Sequence, residues 1–279
     1  MTEQRKKILE SVKEIRKRIP VKLKPKVALI TEEHYTLPYN VSVLGKIDFA
    51  DIPPAFEKNG ATTGKLYFGR AGNRDILILK GRFHYYEGVS MRDIAHPVYV
   101  LKYLGIEKIL AIDEVAHLNP RFEQGELTLI YDHINLMGNN PLIGENDEEL
   151  GIRFPDMSNA YDKKLYGKIY KVFQDNKVKI NESVYLGIIG PESETEAEAR
   201  FYRDIGADAL GYSLAPEDIT AVHARIKFAA IGLITRELSA DKMLEDKRSE
   251  EEKIKESVSN RKFAQGELNK ILVQIIKSL

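Results

Sequence analysis

The chain has 279 residues, 43% hydrophobic and 30% charged, and its 42 Lys and Arg balance 42 Asp and Glu, so no net field marks a nucleic-acid or anionic-membrane partner. Cysteine is absent, which excludes disulfides and thiolate chemistry. No apolar run nears the roughly 18 residues that span a bilayer, and the N-terminus reads as neither signal nor transit peptide, so the expectation is a cytoplasmic protein that engages neither membrane nor nucleic acid.

Taken in order, Thr2 to Ile19 reads as a helix, because Ile8, Val12, Ile15 and Ile19 recur on one face. Pro20 and Pro25 punctuate a linker into a short buried-type strand, Val27 to Ile30, followed by the loop TEEHYTLP at 31–38. Lys65 to Phe68 and Asp75 to Ile78 bracket Gly69 to Asn73 as a hairpin. The second arm runs on into the segment GRFHYYEG at 81–88, so Arg82 and His84 stand just past a strand end, where an α/β sheet presents binding groups. Arg82 offers a planar fork for an oxyanion, and His84 can donate to the same anion. Met91 to Leu104 is helix-periodic and Lys108 to Asp113 is a buried strand. Further strands are expected at Leu127 to Tyr131, Val184 to Gly190 and Phe228 to Thr235. Helices are expected at Asp156 to Gln174, at Glu217 to Lys227 and, in charged form, from Lys242 to Leu279. Strands alternating with helices predict one α/β domain with a mixed central sheet flanked by helices.

Four segments carry a resemblance. GRFHYYEG, DHINLMGNNPLIG (132–144), RFPDMSNAYD (153–162) and GADALGYSLAPE (206–217) are similar to the trimeric purine nucleoside phosphorylases, and the likeness spans about Val27 to Thr235. It implies a nucleoside phosphorylase-like fold, a homotrimer, a purine nucleoside or base as ligand, inorganic phosphate as co-substrate and no cofactor. It places Arg82, His84, Ser213 and Glu114 on the phosphate side, and Tyr86, Ser193, Glu194, Tyr212 and Arg236 on the base and ribose side.

The sequence also departs from that family's pattern. The family's Gly-Ser-Gly-Leu-Gly phosphate turn falls on Thr31 to Thr36, which has no glycine but holds Glu32 and Glu33, although close backbone approach to an anion asks for glycine. Thr62 stands at a phosphate-binding histidine. Glu114, in DEVAHLNP (113–120), replaces a small residue; about 4 Å from phosphate, a carboxylate costs about 4 kcal/mol per unit charge at an effective dielectric of ~20. Ser193 replaces a base-stacking phenylalanine, Tyr212 a methionine under the ribose, and Arg236 the asparagine that supports the departing base, while no histidine follows His223 to match the ribose-binding one. Glu32, Glu33, His34, Asp113 and His117 are metal-ligand types without a ligand-spacing motif.

These departures predict a diverged relative with impaired or absent phosphorolysis, acting as a trimeric binding or scaffold protein. The alternatives are an active purine nucleoside phosphorylase, and a nucleoside hydrolase with Glu114 or Glu33 as general base. They also predict a pocket neutralised by its own residues, with Arg82 paired to Glu114, Glu32 or Glu33 and Arg236 paired to Glu194.

Overall fold

A computed structural model describes residues 1–53, 64–238 and 248–279. Among these, nine strands form one mixed sheet with helices on both faces, the single α/β domain expected from the sequence. Along the sheet the order is β2 (Val41–Asp48), β3 (Lys65–Ala71), β4 (Arg74–Lys80), β1 (Val27–Thr31), β5 (Lys108–His117), β8 (Ala209–Gly211), β7 (Asn181–Gly187), β6 (Leu127–Asn135) and β9 (Lys227–Glu237). Strand β9 also pairs in parallel with β5 over Lys108 to His117, so this half of the sheet curls into a closed ring of five strands.

The sequence explains the layering. Every residue of β1 is buried, because parallel partners flank it and helices cover both faces. On one face lie α1 (Glu3–Arg18), α2 (Met91–Leu104) and α5 (Leu214–His223), with Ile8, Val12, Ile15 and Tyr99 packed in one cluster with Leu77 and Ile109. On the other, α3 (Lys163–Asp175) and α6 (Glu250–Ser278) bring Leu165, Ile169, Phe173, Leu268, Leu272 and Ile276 to Leu29, Ile78 and Leu110. Each such side chain contributes about 1.5–3 kcal/mol by leaving water. A smaller cluster seats α4 (Glu196–Asp204) through Ala199 near Leu186 and Leu210.

Several boundaries differ from the sequence expectation, each for a local reason. The helix expected from Asp156 starts at Lys163, because Asp162 caps it by accepting from the Lys164 and Leu165 amides at 3.0 and 2.9 Å. The helix expected over Glu217 to Lys227 runs instead from Leu214 to His223; Arg225 takes a left-handed φ of 59° and Lys227 already belongs to β9. Strand β7 ends at Gly187 rather than Gly190, while β5 and β6 run several residues past their expected ends. Two strands were not expected. β2 is an edge strand whose only buried residues are Val41 and Ile47, and β8 is three residues long, so neither leaves a periodic signature. The readings at Thr62 and at the onset of the charged segment near Lys242 fall outside the described residues.

Two glycines shape the backbone near one end of the sheet, one just past β4 and one at the last residue of β8, which runs antiparallel to β5. Gly81 has φ +118°, and a Cβ there would lie 2.7 Å from the Cα of Gly64. Gly211 is crowded: a Cβ would sit 2.5 Å from Tyr185 Oη and 3.0 Å from Asp113 Oδ2, both buried. Gly211→Ala is therefore expected to cost about 1–3 kcal/mol by overpacking. Thermal unfolding at constant pH checks this, and an unchanged midpoint would refute it.

Candidate active site

At the carboxyl ends of β1, β4, β5, β8 and β9 lies a cavity of about 270 Å³. Its lining includes Glu32, His84, Tyr86, Glu114, Tyr212, Ser213 and Arg236, so positions from opposite ends of the sequence meet in one place. The 3-10 turn Tyr85–Glu87 fixes the GRFHYYEG segment: the Glu87 carboxylate accepts from the His84 amide at 3.1 Å, and Asn139 donates to the Tyr85 hydroxyl at 2.9 Å.

Arg82 lies behind the cavity wall, its side chain only 1% exposed. It donates through Nε to Glu217 at 2.8 Å, and through Nη1 to Glu32 at 2.9 Å and the Ile112 carbonyl at 2.7 Å. Asp113 Oδ1 stands 3.6 Å from the same Nη1. Burial works against the Arg82 cation, but Glu217, Asp113 and Glu32 outweigh it and hold its pKa above the ordinary value. For Glu32, burial is outweighed by the bond from His84 and by the Arg82 charge, which hold its carboxyl down at about 2. Asp113 goes the other way: burial, with Glu32 and Glu217 close by, pushes it up to about 7 despite Arg82. Its Oδ2 accepts from Tyr185 Oη at 3.0 Å, and that oxygen in turn accepts from the Ser213 amide at 3.0 Å.

His84 joins this end to the cavity. Its Nε2 lies 3.5 Å from Glu32 and its Nδ1 3.3 Å from Ser213 Oγ, and the Glu32 bond raises its pKa against the effect of burial. The His84 ring stacks on Tyr86 at 4.9 Å, and Tyr86 meets Tyr212 edge-on at 5.8 Å. At the far end Arg236 grips Glu194 with two bonds of 2.9 and 3.3 Å and donates to the Tyr212 hydroxyl at 2.8 Å.

Of the three carboxylates expected beside Arg82, Glu32 takes the place and Glu217 joins it; Glu114 faces α6 and the loop after β1 instead, bonded to His34 and 3.6 Å from Arg261. One expectation is corrected. Ser193 is exposed and does not line the cavity. The pairing of Arg236 with Glu194 is as the charge argument anticipates. Among the described residues no group of His, Asp and Glu is arranged to hold a metal ion, and no helix is long and apolar enough to cross a membrane. Glu217, Tyr185 and Arg261 were missed as partners in this network. A hydroxyl inside the apolar strand at 184–190 was a usable signal for Tyr185, since a buried phenol needs a partner.

The fold and this cavity can be set beside known proteins. A profile of the Phosphorylase superfamily matches residues 37–277. The chain is 41% identical over 210 residues to purine nucleoside phosphorylase 1 of Bacillus subtilis, covering 72% of this chain and 77% of that one. It belongs to the purine nucleoside phosphorylase family. The mouse purine nucleoside phosphorylase is 41% identical over 201 residues, 70% of this chain and 69% of the relative. A solved schistosome purine nucleoside phosphorylase in complex with hypoxanthine superposes with a TM-score of 0.83 at 30% identity, over 95% and 96% of the two chains. The same protein in complex with guanosine gives 0.81. None of these names speaks for a silent relative; they favour the phosphorolytic alternative.

Two outcomes follow from the geometry. Asp113 keeps its proton to about pH 7 in the fold, whereas an unperturbed aspartate loses it near 4. The folded state thus binds the extra proton across that window, and its stability falls as pH rises through it. The midpoint of Asp113→Asn should rise relative to wild type between pH 5 and pH 8; a constant difference would show that Asp113 does not titrate there. At the other end, Glu194→Ala leaves Arg236 with only Tyr212 of its bonds described above. Because Arg236 keeps 31% side-chain exposure, the expected loss is about 1–3 kcal/mol, below the ~3–5 of a fully buried broken pair. Denaturant unfolding measures it, and a loss within error of zero would contradict the pairing.

Proposed function

We propose that the protein is a purine nucleoside phosphorylase: it binds a purine nucleoside in the cavity and transfers the ribosyl group from the base to inorganic phosphate, without a cofactor. What carries the reading is the 41% identity over 210 residues to a protein of that name, together with a cavity lined by His84, Ser213 and Arg236, with Arg82 bonded behind it through Glu32 and Glu194 bonded to Arg236. In this reading His84 and Ser213 orient phosphate with Arg82 behind them. Tyr86 and Tyr212 form the wall beside the ribose. Glu194 accepts from the base, and Arg236 supports the negative charge that develops on it as the C1′–N9 bond breaks. The electron pair of that bond stays with the base, and a phosphate oxygen forms the new bond to C1′. Assembly as a homotrimer in the cytoplasm belongs to the same reading, and light scattering on the purified protein tests the trimer.

A second reading is a silent relative that binds or scaffolds. It is favoured by one observation: both arginines are already bonded to the chain's own carboxylates. Incubating the protein with inosine, guanosine and adenosine, each with and without phosphate, and following free base by chromatography decides between them. Phosphate-dependent release is the expected result. No release with any nucleoside would overturn the proposal in favour of the silent relative, and release without phosphate would mean hydrolysis.

A further inference from the structure

Glu32 follows the last residue of β1, and its carboxylate reaches Arg82 Nη1 at 2.9 Å and stands 3.5 Å from His84 Nε2. These are two of the donors that the proposed reaction assigns to phosphate. A carboxylate is itself an oxyanion, with the same planar match to guanidinium that phosphate oxygens offer. The loop that carries it is tied down. The Tyr35 amide bonds back to the Glu32 carbonyl at 3.1 Å, and the Tyr35 hydroxyl donates to Asn269 on α6 at 2.7 Å. Asn269 donates to the Thr36 carbonyl at 2.9 Å, and the Thr36 amide donates to Gln265 at 3.2 Å. Tyr35 is buried. The carboxylate is therefore presented to Arg82 and His84 by a loop docked on a helix.

We infer that Glu32 is a built-in anion occupying the phosphate subsite, so that inorganic phosphate enters only by displacing it from Arg82 and His84. The inference rests on the phosphorolysis reading for the identity of the anion. It makes Glu32 the residue that sets how much phosphate the site demands. Two features keep the geometry from being a mere structural pair. First, Arg82 keeps a carboxylate partner without Glu32, because Glu217 remains bonded to its Nε at 2.8 Å. Second, Glu32 lines the cavity whereas Arg82 does not, so the carboxylate is the face that an incoming anion meets.

Calorimetric titration of inorganic phosphate into the full-length protein, with no nucleoside present, tests this. Wild type should bind with a dissociation constant above about 10 mM, and Glu32→Ser should bind about tenfold tighter or more. Glu32→Gln, which removes the charge but keeps the bulk and an acceptor oxygen, should fall between them. Asp175→Ser controls for net charge; it removes an exposed carboxylate paired only locally with Lys171 and should leave phosphate affinity unchanged. Equal affinities for wild type and Glu32→Ser would overturn the inference, as would tight binding by wild type, an equal gain in Asp175→Ser, or no binding by any variant whose unfolding midpoint shows it to be folded. The base-release assay remains separate. A Glu32→Ser protein that gains phosphate affinity but frees no base leaves the inference standing and removes the phosphorolysis reading.

Discussion

The guanidinium of Arg82 is the group on which the site end of this fold depends. Desolvating a cation costs several kcal/mol unless acceptors surround it. Here they come from four separate elements: the Ile112 carbonyl of β5, Glu217 of α5, Glu32 of the loop after β1 and, at 3.5 Å, the Ile30 carbonyl of β1. Meeting the demand of one side chain thus fixes how the helix and the loop sit on the sheet. Glu217 lies in the first turn of α5, where a carboxylate is also favoured by the helix dipole. Asp113 is the member left over. It lies close to the cation but shares it with two better-placed carboxylates, which explains why its own charge is suppressed.

The two ends of the cavity are joined by side chains rather than separated by empty space. From Glu32 the contacts run through His84, stacked on Tyr86, to the edge of Tyr212 and on to Arg236 and Glu194. Aromatic pairs of this kind are worth about 0.5–1.5 kcal/mol each beyond their buried area. The Ser213 amide bond to Tyr185 adds a second brace, linking the loop after β8 to β7 and through Asp113 to β5.

Much of this was legible in the sequence, but unevenly. Long periodic elements such as α1 and α2 announced themselves, since their buried faces repeat at helical spacing. Charge logic also found the Arg236–Glu194 pair, because a charge leaving water at a strand end needs an opposite charge beside it. Strands β2 and β8 were invisible because an exposed edge strand and a three-residue strand carry no pattern. The surroundings of Glu114 were not legible, because it bonds to His34 in the loop after β1 and its other neighbour, Arg261, lies on α6, more than a hundred residues onward. Glu217 was hidden for a similar reason. Read locally, it is a helix-start carboxylate, and only the fold shows that it is buried against Arg82.

Self-neutralisation does not weigh equally on the two ends. At the base end the arginine keeps 31% side-chain exposure while Glu194 keeps 2%, so screening acts on the cation side of that pair. A purine that offers its own donors and acceptors meets an arginine that is already partly open to the cavity. The pair at Arg82 is arranged the other way round. Its guanidinium is dry, and the cavity reaches it only past Glu32, whose carboxylate is held by a loop docked on α6. In the proposed reaction, opening the cavity to substrates is therefore limited at the Arg82 end. Base recognition costs little rearrangement, and the entry of the nucleophile is the step that this chain's own charges oppose.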